Sequence, residues 1–157
     1  MAAEIERKFL VSGNAWKTRA ETGSLLQQAY LASTEACAIR VRIKDEASAF
    51  ITIKSARPGS TRDEFEYPVP LEDARAMLAL RTGDVIEKTR YRVPAGDLTW
   101  EIDVFSGVHQ GLAVAEIELP NEGTAFDKPV WLGDEVTHDK RYYNASLALN
   151  GPPDGGD

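Results

Sequence analysis

Apolar and polar residues alternate with a period of two along most of this chain. In residues 39–44, IRVRIK, each apolar side chain is followed by a basic one. Because successive side chains of a β-strand point to opposite faces, this segment predicts a strand with one apolar and one charged face. Seven further segments with strand-like patterns bring the expected number of strands to eight. They are EIERK, LLQQAYL, ITIK, DEFEYPV, VIEKTRYRV, TWEIDVF and LAVAEIELP.

Helices are fewer and are expected at the periphery of the fold. The segment PLEDARAMLALRTG has apolar residues at helical intervals, begins with acidic residues and ends at Gly83, as a capped amphipathic helix does. A short helix is predicted over residues 14–20 and a last one over 139–149. We therefore expect an α+β protein, mainly β, with a single domain over residues 1–150. Residues 151–157, GPPDGGD, are too polar and too rich in Gly and Pro to pack, and predict a disordered tail.

Composition and charge exclude several classes of protein. No apolar run approaches the roughly 18 residues of a membrane-spanning helix, and charges interrupt the start of the chain, so we expect a soluble, cytoplasmic protein without a membrane partner. A formal net charge of −7 argues against binding of nucleic acid through a broad basic surface. Cys37 is the only cysteine, and His109 and His138 are the only histidines, which disfavours metal sites built from these residues.

The charged faces of the predicted strands are segregated by sign. An ordinary sheet with one solvated face is the common explanation of charged alternation, but such a face tolerates neutral polar residues, which are rare at these positions. Eight strands also suffice to close a barrel, with one face of every strand inside. If the charged face is the inner one, it lines a wet tunnel, because so many charges cannot form a dry core. The carboxylates on this face are Glu4, Glu6, Glu64, Glu66, Glu101, Asp103, Glu116 and Glu118.

Carboxylate pairs and basic residues together suit a polyphosphate with its metal ions. Hard divalent cations prefer carboxylate oxygens, whereas Lys and Arg are the natural contacts of phosphate groups, Arg through a bidentate fork. Phosphoryl transfer needs mainly positioning and neutralisation of charge. The scarcity of histidine and cysteine is therefore no obstacle to such a reaction.

The N-terminal segment EIERKFLV contains the motif E-x-E-x-K and resembles the start of the CYTH proteins, or triphosphate tunnel metalloenzymes. The resemblance continues in order through IRVRIK, ITIKS, DEFEYPV, VIEKTRYRV, EIDVF, AEIEL and WLGDEVTHDKRYYNASLA. It implies an eight-stranded antiparallel β-barrel tunnel with a few flanking helices. It also implies an activity on triphosphate groups that depends on Mg²⁺ or Mn²⁺.

The resemblance further implies roles for individual residues. The metal ligands that it implies are Glu4, Glu6, Glu116 and Glu118. The triphosphate contacts that it implies are Lys8, Arg40, Arg42, Lys54, Lys88 and Arg90. The residues that would hold water at the metal or orient the basic side chains are Glu64, Glu66 and Asp103, and the role of Glu101 is open. Tyr30 corresponds to a tyrosine that pairs with the motif lysine, here Lys8, although packing in the barrel wall explains Tyr30 equally well.

Because almost the whole chain is spent on strands, no insertion is available to recognise a nucleobase or a thiamine ring. We therefore expect hydrolysis of inorganic triphosphate to pyrophosphate and phosphate, with a small-molecule triphosphate as the binding partner and a monomer or homodimer as the active form. Another activity on triphosphates is the first alternative, as a nucleoside or thiamine triphosphatase or an adenylate cyclase. A non-catalytic polyphosphate-binding module is the second, and the carboxylate pairs argue against it, because they would repel an anion. A structural barrel without a ligand is the third.

Overall fold

A computed structural model describes residues 5–55 and 63–153 of the chain. In these residues, nine β-strands form one sheet in the order β5-β4-β3-β2-β6-β7-β8-β1-β9, and every neighbouring pair is antiparallel. The strands are β1 (Ile5–Val11), β2 (Ser24–Ser33), β3 (Cys37–Lys44), β4 (Ser48–Ser55), β5 (Glu64–Val69), β6 (Thr82–Ala95), β7 (Leu98–Ser106), β8 (Ala113–Leu119) and β9 (Leu132–Glu135). The α-helices are α1 (Leu71–Leu78) and α2 (Asn144–Asn150), and short 3₁₀ helices cover Ala15–Arg19, Gly107–His109 and Lys140–Tyr142.

The expectation of a mainly β, antiparallel fold with a few flanking helices is confirmed, but the sheet differs from the predicted barrel in two respects. It has nine strands in the described residues, and no hydrogen-bonded ladder there joins the edge strands β5 and β9. The additional strand β9 has the sequence LGDE, which is too short and too polar for an alternating pattern to reveal it. Strand β5 is exposed along most of its length and contains Pro68, which lacks an amide donor, as is typical of an edge strand.

The strand register places the charged residues on one face of the sheet, which we call the charged face. Directly opposed residues of an antiparallel pair project to the same side. In this way Lys8 on β1 faces Glu116 on β8, and Arg90 on β6 faces Asp103 on β7. The same reasoning through all the ladders places every predicted site residue that the structure describes on this face. They are Glu6, Lys8, Tyr30, Arg40, Arg42, Lys54, Glu64, Glu66, Lys88, Arg90, Asp103, Glu116 and Glu118.

The opposite face of the sheet is apolar and packs in two clusters. The larger one surrounds Trp100, whose ring makes edge-to-face contacts with Phe9, Phe126 and Trp131 at centroid distances of 5.8, 5.7 and 5.3 Å. The smaller one lies under α1, where Ala74 of the helix packs with strand residues that include Val41. Burial of these side chains is the main favourable contribution to folding, at about 25 cal/mol for each Å² of apolar surface removed from water.

The predicted helices are present, but all three are shorter or interrupted. The helix expected to end at Gly83 is α1 (Leu71–Leu78), and Gly83 lies in β6 and does not cap the helix. The expected helix over residues 14–20 is the 3₁₀ helix Ala15–Arg19. The expected helix over 139–149 is split, because Tyr143 adopts an extended conformation between the 3₁₀ helix and α2. Residues 151–153 have no helix or strand, and 154–157 lie outside the described residues, so the disordered tail stays a prediction. Among residues 5–55 and 63–153, no helix combines the length and apolar character that a membrane crossing requires.

Helix α2 covers one end of the charged face, where that face becomes apolar. Leu147 and Ala148 of the helix are fully buried against a cluster that includes Ile86 and Phe105. The Nε2–H group of His109 donates a hydrogen bond of 2.6 Å to the carbonyl oxygen of Leu147. A helix of seven residues is unstable by itself in water, so these contacts hold it in place.

Gly83 allows α2 to approach the sheet. Its φ is +74°, and a Cβ atom there would clash with the backbone carbonyl of Ala148. Gly96 provides a matched control, because its φ is +63° but a Cβ atom would meet nothing within 4 Å. We expect Gly96→Ala to lower the free energy of unfolding by about 1–2 kcal/mol through the left-handed backbone alone. We expect Gly83→Ala to lower it by at least about 1 kcal/mol more through overpacking. Urea denaturation of both variants tests this, and equal losses would contradict it.

Candidate active site

The centre of the charged face is a buried cluster of two cations and one carboxylate. The ammonium of Lys88 lies 2.8 Å from Asp103, and the guanidinium of Arg90 donates two hydrogen bonds of 2.8 and 2.9 Å to the same carboxylate. Burial alone would raise the pKa of Asp103, but the two cations lower it to about 2. Burial also lowers the pKa of Lys88 to about 8, against the effect of Asp103. When all three groups are charged, the cluster has one positive charge in excess.

Arg40 and Arg42, neighbours on the same face of β3, have no carboxylate within salt-bridge distance among the described residues. The Nε–H group of Arg42 donates a hydrogen bond of 2.9 Å to Oε1 of Gln28, which is neutral. Arg40 contacts Oγ1 of Thr52 at 3.5 Å, and its buried Nε has no hydrogen-bond partner in the described part of the chain. Burial and the charges of Arg40 and Arg90 lower the pKa of Arg42 to about 10. These two guanidinium groups therefore lack the counter-charge that an anionic ligand would supply.

Two of the predicted metal ligands, Glu6 on β1 and Glu116 on β8, are in hydrogen-bond contact. This hydrogen bond, together with burial, raises the pKa of Glu6 to about 8. Burial would raise the pKa of Glu116, but the bond from Glu6 and the charge of Lys8 lower it below its usual value. At neutral pH the two carboxyl groups therefore share one proton. A divalent cation that replaces this proton would relieve the same repulsion.

The donor chemistry of this pair fits a small divalent cation. Mg²⁺ is commonly bound by one or two carboxylates, with substrate phosphates and water as the remaining ligands. Glu118 lies opposite Glu6 in the β1–β8 ladder, and Glu4 lies outside the described residues. Within the described residues, no three carboxylate, histidine or cysteine side chains form a group able to hold a metal ion by themselves. The arrangement thus suits a metal that is shared with a ligand more than a closed protein cage.

The motif lysine, Lys8, is held between this carboxylate pair and the segment that leads into α2. Its ammonium lies 3.7 Å from Glu116, donates a hydrogen bond of 3.1 Å to the carbonyl oxygen of Tyr142 and sits 5.6 Å from the ring centroid of Tyr143. The expected pairing of Lys8 with Tyr30 is not found. Tyr30 packs in the apolar cluster under α2 instead, which is the alternative that the sequence left open.

The carboxylates of β5 contact neighbouring side chains on β4. Glu64 lies 4.0 Å from the ammonium of Lys54, and Glu66 accepts a hydrogen bond of 3.1 Å from Thr52. Glu64 thus contacts a basic side chain directly, whereas Glu66 contacts the buried Thr52, whose hydroxyl oxygen in turn faces Arg40 at 3.5 Å. Burial and the charge of Arg40 lower the pKa of Lys54, and the carboxyl groups of Glu64 and, less strongly, Glu6 act against this decrease. Five strands separate β4 from β1 in the sheet order, so an influence of Glu6 on Lys54 indicates that the sheet curves toward its charged face, which is therefore concave.

Several polar residues of this face could not be found from the charge pattern. Gln28 and Thr52 are neutral, and they contact Arg42 and Arg40. The alternation of β2 and β4 places them on the polar side, but nothing in the sequence marks their contacts. Asn144, which accepts a hydrogen bond of 3.2 Å from Lys88, comes from α2 and belongs to no strand pattern. Glu101, whose role was open, lies 3.6 Å from Arg92 and 3.9 Å from Arg90.

Comparisons with known proteins match this chain to one domain family and to relatives that are named inorganic triphosphatases. Residues 2–148 match the CYTH domain. An inorganic triphosphatase of Acetivibrio thermocellus is 43% identical over 151 residues, which cover 96% of this chain and 96% of that protein. One from Nitrosomonas europaea is 36% identical over 154 residues, which cover 95% of this chain and 99% of that protein. A crystal structure of an inorganic triphosphatase superposes with a TM-score of 0.77 at 35% identity, covering 98% of this chain and 99% of that one.

The proton shared by Glu6 and Glu116 predicts that metal binding releases protons. Because the pKa of Glu6 is raised to about 8, its carboxyl group is protonated at about pH 7 and must ionise to bind a cation. We expect Mg²⁺ to displace roughly one proton at about pH 7 and to bind more tightly as the pH rises toward about 8. Calorimetry in buffers with different ionisation enthalpies measures the number released. Glu6→Gln should abolish the release, and binding to the unchanged protein without release would contradict the assignment.

Proposed function

The chain belongs to the CYTH domain family, and we propose that it hydrolyses inorganic triphosphate to pyrophosphate and phosphate with the help of a divalent cation. One observation carries this proposal most directly. The unneutralised guanidinium groups of Arg40 and Arg42 lie on the same concave face as the proton-sharing pair Glu6 and Glu116. A face with a place for an anion and a place for a cation fits a phosphate chain together with its metal.

In this proposal the basic residues bind and orient the triphosphate. Arg40 and Arg42 donate to phosphate oxygens, and Lys8 and Lys54 contribute further positive charge from β1 and β4. Arg90 keeps part of its guanidinium accessible while Asp103 fixes its orientation through two hydrogen bonds. Preorganised cations of this kind favour the transition state, because charge that develops on the phosphoryl oxygens meets groups that need not reorganise.

Lys88 differs from the other basic residues because its side chain is fully buried. In this conformation Lys88 does not contact a ligand directly. It affects ligand binding indirectly, because it pairs with Asp103, which in turn holds Arg90. The excess positive charge of the three-residue cluster then attracts the phosphate chain. Lys88 therefore lies beneath the binding surface and contributes positive charge to it, while Arg90 is the residue of the cluster that contacts the ligand.

The carboxylates would hold the metal. Glu6 and Glu116 are the primary candidates, Glu4 and Glu118 are further candidates from the sequence, and Mg²⁺ or Mn²⁺ is the ion that we propose. When bound, such a cation neutralises phosphate charge and activates water for attack on phosphorus. Glu64 and Glu66 orient Lys54 and Thr52 at the edge of the sheet.

Substrate preference is the first test of this proposal. A face that binds through charge gains little from an attached nucleoside, and we expect pyrophosphate, one phosphate shorter, to engage the carboxylate pair and the arginines less well at the same time. We expect kcat/KM for inorganic triphosphate to exceed that for ATP by at least about tenfold, or ~1.4 kcal/mol in transition-state binding, and pyrophosphate to be a poor substrate. Kinetics of the three compounds under one Mg²⁺ condition test this. Equal or higher values for ATP would contradict the proposal, and cyclic AMP as a product would replace it with a cyclase activity.

Arginine substitutions test which residues bind the phosphate chain. Arg40→Ala or Arg42→Ala removes a charge-assisted contact of about 1.5–3 kcal/mol, so we expect kcat/KM for inorganic triphosphate to fall by roughly 10- to 100-fold in each. Arg75 is exposed on α1, away from the charged face, and Arg75→Ala is the matched control with unchanged kinetics. If Arg40→Ala and Arg42→Ala both behave like the control, the charged face is not the binding surface.

A further inference from the structure

The buried ammonium of Lys88 has a second oxygen partner besides Asp103, and this partner comes from outside the sheet. The side-chain oxygen of Asn144, the first residue of α2, accepts a hydrogen bond of 3.2 Å from Lys88. The ring of Phe105 lies 5.4 Å away from the same ammonium. A lysine ammonium has three N–H donors, and two of them have oxygen acceptors among the described residues. Asn144 thus provides the second oxygen acceptor of an ammonium whose side chain is fully buried.

The chemistry of an amide at this position differs from that of a carboxylate in one important respect. Asp103 is shared by Lys88 and Arg90, which leaves the cluster with one positive charge in excess. The neutral oxygen of Asn144 satisfies the ammonium without cancelling that charge. Besides Asp103, the cations Arg90 and Arg42 disfavour the protonation of Lys88, whereas the carboxylate of Glu116 on β8 favours it. Loss of the acceptor would therefore favour the neutral amine.

The position of Asn144 is determined by the docking of α2. The hydrogen bond between His109 and Leu147 and the burial of Leu147 and Ala148 hold the helix body. On the other side of Asn144, the carbonyl of Tyr142 accepts a hydrogen bond from Lys8. The residue is therefore held from both directions along the chain.

We propose that Asn144 is a positioning residue of the active site, which keeps Lys88 charged and in place so that Asp103 and Arg90 retain their excess positive charge toward the triphosphate. This inference rests on the proposed triphosphatase function. It assigns the start of the C-terminal helix to the active site, although no residue of that helix belongs to the charged face of the sheet.

The test uses two substitutions at Asn144 and the same two at Asn150, which is exposed at the other end of α2. Asn144→Asp keeps the shape and the acceptor but neutralises the cluster, so we expect KM for inorganic triphosphate to rise about tenfold throughout the range from about pH 6 to about pH 7.5, where Lys88 of the unchanged protein is charged. Acidic residues in the first turn favour a helix, so this variant should dock α2 as the unchanged protein does. Asn144→Ala removes the acceptor, so we expect kcat/KM to fall about tenfold near about pH 7.5, where only the control keeps Lys88 charged, and to recover toward the control near about pH 6, where Lys88 is protonated in both.

The kinetic ratios are taken against Asn150→Asp and Asn150→Ala at each pH under saturating Mg²⁺, and thermal unfolding is measured for all four variants. A pH-dependent loss in Asn144→Ala with a pH-independent loss in Asn144→Asp, at unchanged melting temperatures, supports the positioning role. Values within about twofold of the controls for both variants overturn it. Equal losses at every pH with lowered melting temperatures overturn it as well, because they indicate a purely structural contact. An unchanged protein that does not hydrolyse inorganic triphosphate contradicts the proposed function itself.

Discussion

The shared pairing of Asp103 with Lys88 and Arg90 is the interaction on which the charged face depends. A carboxylate that is almost fully buried is tolerated only when its oxygens are hydrogen-bonded and its charge is compensated, and here both conditions are met at 2.8–2.9 Å. The pairing links adjacent strands, since Lys88 and Arg90 are on β6 and Asp103 is on β7. It also fixes the direction of Arg90 and sets the sign of the local field. A buried ion cluster of this kind contributes less to stability than to the specific arrangement of its members.

The concave face is divided into two parts that depend on each other. At one end, Tyr30, Ile86 and Phe105 make the face apolar, and α2 covers them with Leu147 and Ala148. In the rest of the face, the charged residues stay available for a ligand. Because the segment before α2 also contacts Lys8 and its first residue contacts Lys88, the packing of the apolar end determines the arrangement of two cations in the charged part.

The period-two pattern of the sequence predicted most of the strands and the face on which the candidate site residues lie, whereas the roles of those residues were implied by the family resemblance. Strict alternation assigns Arg40 and Arg42, or Glu64 and Glu66, to one face whatever the neighbouring strands are, because the backbone geometry of a strand imposes it. The pattern could not predict β9, whose sequence LGDE is too short to alternate. The sequence could not predict that β5 and β9 remain unpaired with each other in the described residues. Closure of a sheet into a barrel depends on long-range geometry and not on the local pattern of residues.

The contacts of individual side chains were harder to predict than the faces. Tyr30 was a candidate partner of Lys8, but whether a tyrosine packs or pairs depends on the helix that covers it, and that helix is more than 100 residues away in the chain. The same holds for Asn144, which reaches Lys88 over a separation of 56 residues. Neutral polar residues have no charge, so a pattern of segregated charges in the sequence cannot identify them as site residues.

The central claim is that the carboxylates and the cations of this face act together on a metal-bound triphosphate. The most direct measurement is phosphate release from inorganic triphosphate with Mg²⁺ and, in parallel, with excess chelator. The account predicts that turnover requires the divalent cation and stops in chelator, because the Glu6–Glu116 pair has no role in the binding of an anion alone. Undiminished turnover in excess chelator would contradict it.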